Sequence, residues 1–286
     1  MTLRSVARVH DSHKAQPAPG LIVDRPLPGP GVDYVSPFLM IDHFGPETIK
    51  PGDTGGLNPH PHRGFETVTF LLDGVMEHHD SNGGHGVIRP DGAQWMTAAA
   101  GIVHAEYREK AFAQQGGTVH GVQLWVNLPR RDKMAKPGYQ DLPAASIPAV
   151  KVEGGVVRVI AGEHAGIKGA AKTFTPMQVL HIRLAAGGRA ELKVDAGWSA
   201  LAYAMVGSAT VSGTALGERQ MAVFANDGDN VVIEAHEPLE MLLLAGEPIN
   251  EPVVSWGPFV MNTREEIVQA RNDYAAGRMG TLEMSA

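Results

Sequence analysis

The 286-residue sequence contains no cysteine. That absence removes disulfides, thiolate nucleophiles, thiol redox chemistry and zinc ribbons, so any bound metal must be held by nitrogen and oxygen donors. Long apolar runs are missing too. No stretch approaches the roughly 20 apolar residues of a membrane helix. Residues 1–19 carry Arg4, Arg8, Asp11 and Lys14 where a secretory signal would have an unbroken apolar core. A soluble, cytoplasmic protein without a membrane partner is the expectation. Positive charge is also scarce: 24 Lys and Arg against 31 Asp and Glu give a net charge of −7. This argues against a surface that binds nucleic acid directly by neutralising phosphates.

Turn formers are plentiful. With 34 Gly and 20 Pro in a chain that is 43% hydrophobic, the composition suits many short strands joined by tight turns. The length is enough for two domains, each with its own core. An all-β fold with a few short helices is expected. Phe38–Ile41 is one buried strand candidate, ending at a lone His43 that reads as structural; residues 16–30 read as loop with a short extended piece at Leu21-Ile22-Val23, and the polar stretch Ala111–Gly117 reads as turn.

The chemistry concentrates between Asn58 and Glu106. One end holds His60-Pro61-His62 and the other His104-Ala105-Glu106. On strands, residues two apart point to the same side, so each pair offers two metal-competent side chains to one face. The intervening chain is punctuated by Asp73-Gly74, Asn82-Gly83-Gly84 and Pro90-Asp91-Gly92 and reads as a β-meander. Three imidazoles and a carboxylate on neighbouring strands of a small barrel can surround one cation. A single HxH string is weak evidence, but an HxH and an HxE at opposite ends of a turn-rich β segment are far more specific.

These strings resemble the paired motifs of the cupin superfamily, and HPHRGFET, QWMTA and GIVHAE resemble the pirin family in particular. The resemblance implies tandem cupin (jelly-roll-type) β-barrels and a metal held by His60, His62, His104 and Glu106. Glu66, which stands where many cupins place a ligand, is left out of that set. The implied cofactor is one divalent first-row transition metal, Fe(II) foremost, with Mn, Ni, Cu, Co or Zn as alternatives. The implied activity is that of a quercetin 2,3-dioxygenase: a flavonol and O₂ as substrates, Glu106 as catalytic base, ring cleavage and release of carbon monoxide. The alternative implied by the family is a metal-binding regulator acting through protein partners as a transcriptional co-regulator or modulator of a metabolic enzyme. A different reaction on the same metal, such as isomerisation, is a third reading. A monomer is expected.

The remaining chain completes the expectation. Residues 1–136 form the metal-binding cupin, the proline-rich 137–148 a linker, and 149–286 a degenerate cupin without metal. Aligning Trp198–Gly207 with Phe65–Gly74 puts Lys193 and Asp195 where His60 and His62 stand, and a protonated lysine cannot ligate. His164, His181 and His236 are isolated. Near the C-terminus Thr263 and Glu266 form a capping box, with Ile267, Ala270 and Tyr274 expected on one helical face and Gly277 as the stop.

Overall fold

The computed structural model describes residues 2–282. Strands dominate, with two α-helices among these residues, so the all-β class follows from the turn-rich composition. The chain forms two compact units that interleave along the sequence. One combines residues up to Pro17 with Ile22–His43 and Ala145–Pro248; the other combines Ala18–Leu21, Phe44–Ala144 and the described residues from Ile249 on. Contiguous domains at 1–136 and 149–286 are thus not what the contacts group together. Strand pairing is the reason: Val6–Asp11 runs antiparallel to Gln220–Phe224, while Phe259, Met261, Ile267 and Ala270 bury against Val103.

The unit that contains the histidine motifs is built from β1 (Gly56–His62), β2 (Phe65–Asp73), β3 (Met76–Asp80), β4 (His85–Ile88), β5 (Ala93–Thr97), β6 (Ile102–Arg108), α1 (Lys110–Gln115), β7 (Gly117–Asn127) and β8 (Gly138–Leu142). One sheet has the order β1-β6-β3-β4, and a second runs β8-β5-β2-β7. Strand β2 is buried along nearly its whole length. Val68 and Phe70 supply apolar packing on one side, and Thr67 and Thr69 line the other, because successive side chains alternate.

Three local expectations change. Part of the stretch 137–148 is not linker but β8, paired with β5 from Gly138 opposite Thr97 to Leu142 opposite Ala93. Ala111–Gly117 is mostly the helix α1, whose Glu109 side chain caps the Phe112 amide. In the proline-rich 16–30 the extended piece expected at Leu21–Val23 is the start of a longer strand, Leu21–Leu27, and the residues before it belong to the strand His13–Ala18 rather than to loop. His13–Ala18 is the last strand of its sheet, where a proline removes no ladder bond.

The last helix, α2 (Arg264–Ala275), starts as its sequence indicates, with Thr263 and Glu266 in a reciprocal capping box. It buries Ile267 and Ala270 but turns Asp273 inward and leaves Tyr274 exposed. Arg63 explains the rotation, since its Nη1 donates to Asp273 Oδ2 at 2.6 Å. Burial opposes ionisation of Asp273, but hydrogen bonds from Arg63, Arg278 and Gln269 outweigh it and hold the pKa at about 2.

The other unit has a sheet containing Val6–Asp11, Gln220–Phe224, Ser199–Val206, Leu239–Gly246, Met177–Lys193 and Asn230–Ala235 in that order. Its interior is filled by apolar side chains such as Leu180, Ile182, Ala202, Ala222, Ile233 and Leu243. Lys193 and Asp195 are exposed, so neither points a donor into that core. His43, in the same unit, meets the Tyr203 hydroxyl through Nδ1 at 2.9 Å.

Candidate metal centre

Strands β1 and β6 are antiparallel neighbours, with His104 opposite His60 and Ile102 opposite His62. This register converts two sequence-distant motifs into one cluster. Ring centroids stand 4.3 Å apart for His60 and His104, and 4.9 Å apart for His62 with each of the other two. Donor nitrogens of the three lie within 4.8 Å of one another. Nitrogens bonded to one ion at about 2.1 Å can be at most about 4.2 Å apart, so the set has little to contract.

The backbone orients two of the rings. His60 Nδ1 lies 2.8 Å from the Asn58 carbonyl and His62 Nδ1 3.3 Å from that of Pro258. A carbonyl can only accept, so Nδ1–H donates in both rings and each Nε2 keeps its lone pair.

The third ring is oriented by a relay. Asp80 Oδ2 lies 3.3 Å from His78 Nε2, and His78 Nδ1 lies 3.4 Å from His104 Nδ1. The Asp80 carboxylate accepts, so His78 donates from Nε2 and must accept at Nδ1. His104 therefore donates from Nδ1 and leaves Nε2 bare. That Nε2 is buried without a hydrogen-bond partner, a state that costs on the order of 1–3 kcal/mol unless a ligand occupies it. Burial, followed by the neighbouring imidazoles, holds the His62 and His104 pKa values well below the ordinary histidine range. Both rings are consequently neutral and able to ligate at neutral pH.

Burial disfavours ionisation of Asp80, yet the His78 bond and the amides of Gly84 and Asn82 outweigh it and lower its pKa. Tyr139 stacks on His78 with centroids 4.6 Å apart. Gly86 makes that possible, because a Cβ there would collide with the Tyr139 hydroxyl.

Glu106 is 1% exposed and sits opposite His78 across the β6–β3 pair. It forms a second set of donors with His78 and His104, again within 4.8 Å. His104 thus joins Glu106 to the three-histidine cluster; His60 and His62 share no such set with Glu106. Glu106 Oε1 accepts from Gln94 at 2.7 Å, Gln123 at 3.1 Å and Thr69 at 3.2 Å, and Oε2 accepts from Gln123 at 2.9 Å. These donors come from β2, β5 and β7, so three strands of the opposite sheet hold one carboxylate.

Glu66 has a different environment. Its Oε1 accepts from Thr97 at 2.7 Å, while Oε2 is buried without a partner. Burial, only partly offset by the Thr97 bond, raises its pKa to about 7.

Sequence reasoning did not single out His78, Asp80, Thr69, Gln94 or Gln123. A usable signal existed: His78, Asp80, Thr69 and Gln94 are polar residues at buried strand positions, as in Ala93-Gln94-Trp95, and Gln123 is half-buried between the buried Val122 and Leu124. Buried polar groups need partners, so such interruptions mark a polar interior.

Comparison with known proteins identifies the family. The pirin family profile matches residues 20–126, and that of the pirin C-terminal cupin domain matches 179–280. The chain belongs to the pirin family. Human pirin is 39% identical over 267 residues, which cover 91% of this chain and 89% of that protein. A Pseudomonas aeruginosa protein named "Putative quercetin 2,3-dioxygenase" is 44% identical over 248 residues, covering 86% of this chain and 87% of its own. A crystal structure of quercetin 2,3-dioxygenase from Acinetobacter baumannii superposes with a TM-score of 0.93 at 37% identity, covering 99% of this chain and all of the other. The chain carries two cupin domains.

Proposed function

We propose that this pirin-family chain is a metal-dependent dioxygenase of quercetin-like flavonols, with one divalent first-row ion, Fe(II) foremost, held by His60, His62, His104 and Glu106. The observation that carries the reading is the bare, buried Nε2 of His104 beside two imidazoles whose Nδ1 atoms are committed to backbone carbonyls. Three imidazoles and one carboxylate suit a mononuclear non-haem centre. When bound, the metal supplies Lewis acidity toward the flavonol 3-oxygen and redox capacity toward dioxygen.

The chain's own residues do the rest. Glu106 Oε2 carries fewer hydrogen bonds than Oε1 and is the atom that takes the 3-hydroxyl proton as the flavonol binds. Gln94, Gln123 and Thr69 hold that carboxylate in place and balance its charge before and during the transfer. Asn58, Pro258 and the Asp80–His78 relay keep the imidazoles from rotating. The central ring of the flavonol is then opened by dioxygen with loss of carbon monoxide.

The test is anaerobic mixing of the metal-loaded protein with quercetin, followed by air. Loss of flavonol absorbance with stoichiometric carbon monoxide supports the reading; no turnover with Fe, Mn, Ni, Cu or Co refutes it. The regulatory alternative draws on an external pocket of about 270 Å³ lined by Pro61, Trp256, Pro258, Phe259, Arg271 and Tyr274. Trp256 is 53% exposed there, and the Pro258 carbonyl reaches His62.

A further inference from the structure

Strand β3 carries metal-competent side chains on both of its faces. His78 and Asp80 are buried toward the centre described above, whereas Glu77 and His79 alternate to the other face and are only partly covered. Directly across the hairpin, His79 pairs with His85 of β4. We propose that Glu77, His79 and His85 form a second divalent-metal site, on the outer face of the β3–β4 hairpin, suited to Zn(II) and to other borderline ions such as Co(II), Ni(II) or Cu(II).

All three donor atoms lie within 4.8 Å of one another. His79 Nε2 lies 3.0 Å and His85 Nε2 2.8 Å from the same carboxylate oxygen, Glu77 Oε1, and the two rings have centroids 4.7 Å apart. Donors bonded to one zinc at about 2.0–2.1 Å and tetrahedral angles stand roughly 3.4 Å apart. Each nitrogen need separate from the Glu77 oxygen by only about half an ångström to admit an ion. Both rings direct Nε2 at one oxygen; when an ion binds, each ring carries its proton on Nδ1 instead, exchanged through solvent, and the two Nε2 atoms and Oε1 share one centre.

The hairpin holds the ligands ready. Asp80 Oδ1 accepts from the amides of Asn82 and Gly84, which fixes the turn and hence the register that sets His79 against His85. Imidazole nitrogen with a single carboxylate selects borderline transition ions over Mg(II) or Ca(II), which take oxygen donors. The His85 side chain is 56% exposed and His79 33%, so an ion enters from solvent and its fourth position stays open to water. This site shares no residue with the inner centre.

Calorimetric titration of zinc into the metal-replete protein is expected to show one further equivalent bound by the wild type and none by the His79→Gln/His85→Gln variant. The His60→Ala variant should still take up that outer equivalent, which separates this inference from the dioxygenase reading. A second measurement needs no variant: zinc should shield His79 and His85 from diethyl pyrocarbonate, read by peptide mass mapping. Equal uptake by wild type and double variant, no outer uptake by the wild type, or unchanged modification of both histidines in zinc would overturn it.

Discussion

Replacing Glu66 by Gln tests the claim that this buried acid stands apart from the metal set and is carried largely neutral below pH 7. The unfolded chain ionises Glu66 near 4.5, and the folded protein near 7. Below 4.5 both states hold the proton and the group is neutral to stability. Between the two values the folded state keeps a proton that the unfolded state has lost, so stability falls as pH rises; above 7 the loss is complete. At about 1.4 kcal/mol per pKa unit, the full loss is about 3 kcal/mol, with about 2 kcal/mol of it already present at pH 6. Gln is isosteric, keeps an oxygen for the Thr97 hydroxyl, and does not ionise. Its amide replaces the partnerless Oε2, which adds an offset that does not vary with pH. The melting temperature of Glu66→Gln minus that of the wild type should therefore climb by roughly 6 to 12 °C between pH 4.5 and pH 8. Scanning calorimetry of metal-free protein, with both variants in matched buffers, reads this difference. A flat difference, or one that grows toward acid, would refute the reasoning and point to an ionised Glu66.

Three further outcomes follow from the site. Glu106→Gln keeps an oxygen donor but loses the base, so metal binding should weaken while flavonol turnover falls by about 10²–10⁴-fold; full activity in stopped-flow assays would rule out its role. Asp80→Asn keeps the turn acceptor but removes the charge that fixes the His78 tautomer, and metal affinity, read by competition with a chelator, should drop by about 10–100-fold. A fragment ending at Leu142 loses the Pro258 carbonyl used by His62, the Val260 carbonyl used by Lys133 and the Asp273 partner of Arg63. Truncation also strips Phe259, Met261, Ile267 and Ala270 from Val103 and exposes apolar barrel surface, so the fragment should be insoluble; a soluble, metal-loaded fragment would show that the barrel stands without these supports.

How far the sequence carried the reading can be judged from individual residues. Strand periodicity and turn residues indicated an all-β chain, because a two-residue alternation is a local property. The motif pairs His60/His62 and His104/Glu106 were legible for the same reason: each pair lies within three residues, and a strand sends both members to one face. The capping box at Thr263 and Glu266 is equally local, and α2 begins there.

What lay beyond local pattern was set by pairing across the chain. Nothing near Ala145 reveals that the first strand pairs with Gln220–Phe224 or that the C-terminal helix covers Val103, so the boundaries of the compact units depend on long-range register. Tyr274 was expected inside, but Asp273 took the buried place, because a charge near Arg63 outweighs the apolar stripe.

The donor types can be read from the amino-acid order, with cysteine absent and histidine and carboxylate paired on strands, and so can the β character that makes such pairs useful. Which nitrogens are bare is a property of the folded chain. That depends on Asn58, Pro258 and the Asp80–His78 relay meeting particular ring atoms, and on Gln94 and Gln123 reaching Glu106 from another sheet. A hydrogen bond between residues far apart in sequence has no local signature, and a tautomer is fixed only by the partner that the fold brings to it.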